Sequence, residues 1–371
     1  MSNLTRRTPC GVVRDGQALR GRTLVDDLGP RQKPRVKRGV PRSGKPTLRT
    51  IAEMTGFAVT TISRALNNAP ELSAETRERV QKVAAEVGYV PDRTALRLKT
   101  GRTHVVSLIL DPHDEILNFS QSLVSGLSTA FRGTPYHLVI TPAARGGDPL
   151  DPVSHVLRNR MADGVIFSRT EPNDARVKLL LEQDFPFVTH GRTEIAAPHP
   201  YVDYDNFTFA YAAAKRLHAK GRKHLSMVSA NPRFTFGQHL RDGLLKAVQE
   251  TGMSYELETR VTLDDSAEDI RKATMARIAQ GKAPDAYICP GDAVALAVIA
   301  GIVDSGRQVG VDADIVTKQM SGIFSLVRPK VDVISEDIAL AGLQMGELLL
   351  KRIRGDAVGA LQVLQVPEIP F

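Results

Sequence analysis

Residues 48–67 read LRTIAEMTGFAVTTISRALN. Three positions decide what this stretch folds into. Ala52 is small where a first helix must approach a second. Gly56, four residues on, supplies the positive φ of a tight turn. Ile62, ten residues after Ala52, faces back toward the same core. The spacing predicts two helices, about Leu48–Met54 behind Thr47 as N-cap and about Val59–Asn67, joined so that the second projects outward. Its outward face is Val59, Thr60, Ser63 and Arg64, followed by Asn67. Arg64 suits guanine O6/N7 or a phosphate. Thr60 and Thr61 suit base edges or phosphates, and Val59 suits a thymine methyl. The same face also fits a plain helical hairpin with a solvated arginine, and spacing alone does not choose between them.

The neighbouring sequence extends the head in both directions. Ser73, with Glu75 in the first turn, opens a third helix that ends near Gly88; Val80, Val83, Ala84 and Val87 give it one buried face. Residues 91–103, PDRTALRLKTGRT, form a linker with four basic residues and one acid. Upstream, residues 1–46 are rich in Arg, Gly and Pro with sparse hydrophobics, the composition of a disordered extension. No Met occurs between Met1 and Met54, which leads to the expectation that translation starts at Val40 from a GTG codon. Within the extension, Gly39-Val-Pro-Arg-Ser-Gly44-Lys45-Pro46 nearly spells a phosphate-binding loop. It lacks the final hydroxyl and a preceding strand, so it reads as chance.

From residue 104 strands and helices alternate. Strands are expected at Val105–Leu110, Tyr136–Ile140, Gly164–Phe167 and Phe187–Thr189. A second set is expected to begin near Tyr201, with strands around Leu225–Ser229, Leu257–Thr262, Ala286–Cys289 and Ile315–Val316, followed by Val331–Ser335; helices are expected at Ile116–Phe131 and Asp337–Arg354. This order implies α/β lobes with parallel sheets covered by helices, and a ligand cleft between the lobes. The expected organisation is a head at 47–90, a linker at 91–103 and a two-lobe body at 104–371. Lobe 1 is expected at about 104–203 and 319–337, and lobe 2 at about 204–318 and 338–371.

Composition narrows the class. The 371 residues are 42% hydrophobic with two cysteines and no Trp, which excludes a disulfide-dense scaffold. No Cys/His cluster has zinc-ligand spacing, so no metal or cofactor is expected. The longest apolar run, Ala293–Val303, is too short to span a bilayer and no signal segment is evident, so a cytoplasmic location without a membrane partner is expected. Residues 1–46 hold 12 Lys/Arg against 3 Asp/Glu and residues 47–104 hold 9 against 6; with +8 overall, the remainder carries −4. A basic head on an acidic body suits a polyanion partner for the head.

The head resembles the LacI/GalR family of transcriptional regulators. The resemblance is carried by TLRTIAEMTG, TTISRALNN, LSAETRERVQKVAAEVGYVP, the Ala95…Leu98 linker and TGRT, and extends over residues 47–371. It implies a helix-turn-helix head and a periplasmic-binding-protein-like effector body. Val59 and Thr60 match the family's specificity positions, and Arg64 its operator-contacting arginine. Thr61, Ser63 and Asn67 match supporting or backbone-contacting positions; Leu48 completes the DNA-facing set in the head. Ala95 matches the small hinge residue beside DNA, and Leu98 the leucine that wedges into the minor groove. Ala58 departs from the pattern, since the family usually has a capping serine there.

The resemblance also implies a cleft whose ligand groups come from strand ends. The expected effector-binding residues are Asp111, Ser168, Arg169, His190, Arg192, Asp205, Arg241, Asp292 and Lys318. Asp205 suits a helix cap as well as a ligand contact, and Asp264-Asp265 suits capping. Leu240 stands where many relatives carry a ligand-gripping arginine, and Thr317-Lys-Gln-Met320 replaces the usual Gly-Phe-Asp-Asp. The pocket is therefore re-specified. A sugar, such as an α-glucoside, is the expected effector, with a sugar acid or phosphate left open by the basic groups. The expected function is an effector-released repressor, not an enzyme, that binds a double-stranded operator as a homodimer, the chain ending without a heptad tail. An activator or co-repressor-dependent regulator of the same fold is the alternative, and a sugar-binding enzyme a more distant one.

Overall fold

The computed structural model describes residues 45–90, 97, 100–110, 117–144, 146–281 and 283–371. The extension up to residue 44, most of the linker, and Ala95, Leu98 and Asp111 lie outside the described residues. The chain divides into a head ending at Val90 and a body beginning at Pro91.

The head is three helices: α1 (Leu48–Thr55), α2 (Val59–Leu66) and α3 (Ala74–Glu86). Thr47 and Thr50 cap α1 reciprocally, the Thr50 N–H donating to Thr47 Oγ1 at 3.3 Å and the Thr47 N–H to Thr50 Oγ1 at 3.1 Å. Gly56 closes α1 at φ 78°, a left-handed conformation that suits glycine. Ser73 caps α3 through the Thr76 N–H. Ile51, Ile62, Ala65, Val80 and Ala84 form the buried core, with Leu48 and Ala52 packed against its edge.

The body holds two parallel sheets. The first contains β1 (Val105–Leu110), β2 (His137–Pro142), β3 (Gly164–Ser168), β4 (Phe187–His190), β5 (Tyr201–Tyr204) and β11 (Gln362–Gln365), in the order β11-β5-β4-β3-β1-β2. The second contains β6 (His224–Val228), β7 (Ser254–Glu258), β8 (Ala286–Cys289), β9 (Asp314–Gln319) and β10 (Asp332–Ser335), in the order β10-β9-β8-β6-β7. Helices cover both sheets: α4 (Leu117–Phe131), α5 (Leu150–Arg158), α6 (Ala175–Glu182) and α11 (Ile338–Arg354) on the first, and α7 (Asn206–Ala219), α8 (Thr235–Thr251), α9 (Ala267–Ala279) and α10 (Asp292–Asp304) on the second. The inner strands β1, β3, β4, β6 and β8 are buried on both faces and read as largely apolar runs, whereas the edge strands β2, β7 and β11 stay partly exposed. No helix of the described residues is long and apolar enough to cross a membrane.

The lobe boundaries differ from those expected. The Tyr201 strand, β5, pairs with β4 in the first sheet instead of opening the second set; β9 and β10 belong to the second sheet, whereas α11 and β11 return to the first. Segments 319–337 and 338–371 are thus exchanged between lobes. The reason is a glycine-lined crossing of α11 on α4. A Cβ on Gly126 would run into the Ala339 carbonyl, and one on Gly342 into the Leu123 carbonyl. Backbones this close lock α11 to lobe 1, and β11 then pairs with β5 from Gln362↔Tyr201 to Gln365↔Tyr204. Strand β7 also starts earlier than expected, where Ser254 pairs with His224 of β6, and ends earlier, with the Thr262 N–H and hydroxyl bonded to Asp265 Oδ2 outside the ladder.

Candidate functional site

Two surfaces carry the functional chemistry. On the head, Val59, Thr60, Arg64 and Asn67 are exposed on or beside α2, while Thr61 and Ser63 are half-buried. Ala58 holds the extended cap position without a side-chain hydrogen bond. The first backbone N–H groups of α2 therefore keep their donors for an anion such as a DNA phosphate. Leu48 is half-buried against the head core. Asn67 turns its amide back to the Ser63 carbonyl at 2.5 Å. Arg64 Nε donates to Glu71 Oε1 at 2.8 Å, and its Nη2 bonds the same oxygen. Glu71 was not foreseen from sequence, since it lies in the turn after α2.

The second surface is the cleft at the C-terminal strand ends of the body, where open α/β sheets bind ligands. Ser168 and Arg169 enter from β3, His190 and Gly191 from β4, Asp203 from β5, Asn206 from α7, and Lys318 and Met320 from the end of β9; Phe119, Phe236, Leu263 and Pro290 give it apolar walls. Arg169 is nearly buried at φ 59°, its guanidinium 4.4 Å from the Phe234 ring centroid. It pairs with Asp264, reaching from lobe 1 to lobe 2. Lys318 Nζ lies 2.6 Å from Glu336 Oε2 and donates to Asn206 Oδ1 at 3.0 Å. The Thr235 N–H donates to the Thr170 carbonyl at 2.9 Å, a second tie between the lobes.

Burial shapes the titration of this cleft. It pushes the Asp203 carboxyl up to about 6, against the opposing pull of Arg192 and with help from Glu336. It pushes the His190 imidazole down, with Lys318 adding to the effect and Glu336, 3.6 Å away, opposing it. Arg192 Nε is 3.4 Å from Asp203 Oδ2, near enough to attract but not aligned as a hydrogen bond. At the cleft, Arg169 Nε, His190 Nε2 and Asp203 Oδ2 are buried without a hydrogen-bond partner among the described residues, as are Asp292 Oδ2 and Glu336 Oε2.

Comparison with known proteins identifies this pairing of head and cleft. The family described as bacterial regulatory proteins, lacI family, matches residues 47–92, and the periplasmic binding proteins and sugar binding domain of the LacI family match residues 103–353. The chain belongs to the LacI family. It is a transcriptional regulator with that family's DNA-binding head and sugar-binding type of body. It is 31% identical over 289 residues to the HTH-type transcriptional regulator AglR of Rhizobium meliloti, covering 76% of this chain and 80% of that protein. It is 28% identical to CelR of Thermobifida fusca, covering 87% and 96%. Among solved structures, the Lac repressor dimer bound to operator and the anti-inducer ONPF aligns with TM-score 0.75 and 22% identity, over 88% of this chain and 97% of that one. A CelR–cellobiose complex aligns with TM-score 0.63 and 24% identity, over 87% and 98%.

In this LacI-family regulator the expected effector residues separate into two groups. Ser168, Arg169, His190 and Lys318 line the cleft. Arg192 is half-buried beside the cleft residue Asp203. Asp205 is the cap of α7, accepting from the Thr208 N–H at 3.0 Å and its hydroxyl at 2.7 Å, so its carboxylate is occupied. Arg241 is exposed and pairs with Asp242, because Leu240 takes the inward position on α8. Asp292 is buried between the cleft-lining Pro290 and Met320; one carboxylate oxygen accepts the Met320 N–H at 3.1 Å, and its Oδ2 is buried without a hydrogen-bond partner among the described residues. The capping role expected for Asp264-Asp265 belongs to Ser266, and Asp264 faces Arg169. Asp203, Asn206 and Glu336 were missed. The signal lay in caps: once Asp205 and Asp337 cap α7 and α11, the neighbouring Asp203 and Glu336 remain for the cleft.

Proposed function

We propose that the protein is a repressor that binds a pseudo-palindromic operator as a homodimer and leaves it when an uncharged sugar enters the cleft. The charge arrangement of the cleft carries the sugar class. Each cation already faces a carboxylate: Arg169 faces Asp264, Lys318 faces Glu336 and Arg192 faces Asp203. A sugar acid or phosphate would have to displace a carboxylate from its cation or lie uncompensated beside it, and breaking a buried pair is strongly unfavourable. A hydroxyl both donates and accepts, so it suits Arg169 Nε, His190 Nε2 and Asp203 Oδ2 alike. The apolar walls suit the C–H faces of a sugar ring. The CelR complex holds cellobiose, which supports an effector of disaccharide size, and neutral glucose disaccharides of either linkage are the first candidates.

On DNA, Val59, Thr60 and Arg64 read bases in each half-site, with Thr61, Ser63 and Asn67 on the backbone and Ala95 and Leu98 at the operator centre. Sugar binding closes the cleft, changes how the first lobes of the two protomers meet and parts their hinges. The protein acts on the chromosome, in the cytoplasm. Because the chain has no Trp, isothermal titration is the direct readout of ligand binding. Heat is expected with one neutral disaccharide and none with its aldonic acid or phosphate. Tighter binding of the charged form would overturn the proposed sugar class.

A further inference from the structure

The turn between α2 and α3 is held at several points. Asn68 adopts φ 55°, a left-handed conformation that Asn tolerates, and its Oδ1 accepts from Gln81 Nε2 of α3 at 2.7 Å. The Ala69 N–H donates to the Arg64 carbonyl at 3.1 Å and the Leu72 N–H to the Ala69 carbonyl at 3.2 Å. Pro70 fixes its own φ, and Leu72 packs against the head core. The residue presented between these anchors is Glu71, whose carboxylate takes Nε and Nη2 of Arg64 on one oxygen. Glu71's own backbone N–H, and then Arg64, hold that carboxyl below the usual range.

A guanidinium carries five N–H groups in a planar fork. With the Nε edge on Glu71, the outer edge keeps one N–H on each terminal nitrogen, the pair that matches guanine O6 and N7. An exposed ion pair adds little to stability, so holding the head together is not its main effect. We propose that Glu71 is a positioning residue that presents Arg64 end-on to DNA and sharpens its preference for guanine. The carboxylate also repels phosphates, which weakens binding to DNA lacking the guanine. This rests on the base-reading role given above to Arg64.

The test uses the full chain and fluorescence anisotropy at fixed salt. The probes are a specifically bound duplex from beside the protein's own gene, the same duplex with each base pair replaced in turn, and a scrambled duplex. Glu71→Gln is expected to lose about tenfold of the preference for guanine at one position per half-site. That position should be the one at which Arg64→Ala loses its preference, and the double variant should lose no more than Arg64→Ala. Affinity for the scrambled duplex should hold or rise. Tighter operator binding by Glu71→Gln with every base preference intact would make Glu71 a competitor of DNA and overturn the proposal, as would no change. If Arg64→Ala itself leaves every preference intact, the reading of Arg64 falls and the proposal with it. If only Glu71→Gln is silent, the proposal alone falls.

Discussion

At the scale of single residues, the head and the cleft place charged groups in opposite ways. Arg64 is exposed and pairs with an exposed Glu71, whereas Arg169 and Lys318 are buried and face carboxylates that are largely shielded from water. Arg64→Ala should therefore lower operator affinity by about 1–3 kcal/mol and leave weak, salt-sensitive binding; anisotropy at two salt concentrations checks it. Asp203 gives a pH test. Its raised pKa means that the fold prefers the protonated form. The cost of the buried charge is complete above about pH 6, shrinks as pH falls and vanishes below the unfolded value of 3.8. Asp203→Asn should thus stabilise the ligand-free protein by up to about 3 kcal/mol at pH 8 and less at pH 5, while weakening sugar binding. Thermal unfolding at the two pH values checks the sign. His190 works in the opposite sense, because its lowered pKa favours the neutral ring and that contribution fades as pH falls below 6.5.

At the scale of elements, the sequence was most legible where a local rule acts alone. Thr47, Gly56 and Ser73 are caps and turn residues whose roles follow from their own chemistry, and all three behave as expected. Ala58 is a missing cap for the same reason. Ala58→Ser should add about 1 kcal/mol to head stability by satisfying a first-turn N–H; a thermal melt of the full chain that leaves the head transition unmoved would count against it. The return of α11 to lobe 1 was not legible, because it depends on Gly126 and Gly342 meeting across more than two hundred residues of chain. Gly342→Val should cost at least about 1–3 kcal/mol, since backbone rather than a flexible side chain blocks the new methyls. A melting temperature equal to that of the parent protein would refute this close approach.

At the scale of the whole molecule, two binding events must be linked. The strand ends of the two-lobe fold implied by the family resemblance supplied Ser168, Arg169, His190 and Lys318, which line the cleft. The acids that pair with them, Asp264 and Glu336, come from the opposite lobe or the crossover, and no local pattern relates them. Reciprocity follows from linkage: whatever factor the sugar takes from operator affinity, operator DNA must take from sugar affinity. The most direct measurement is anisotropy of a duplex from beside the protein's own gene at fixed salt, titrated with the protein in the presence and absence of neutral disaccharides and their acids. The account expects sequence-specific binding that one neutral disaccharide weakens and its acid leaves unchanged. Binding tightened by the sugar, or released only by a charged sugar, would contradict it.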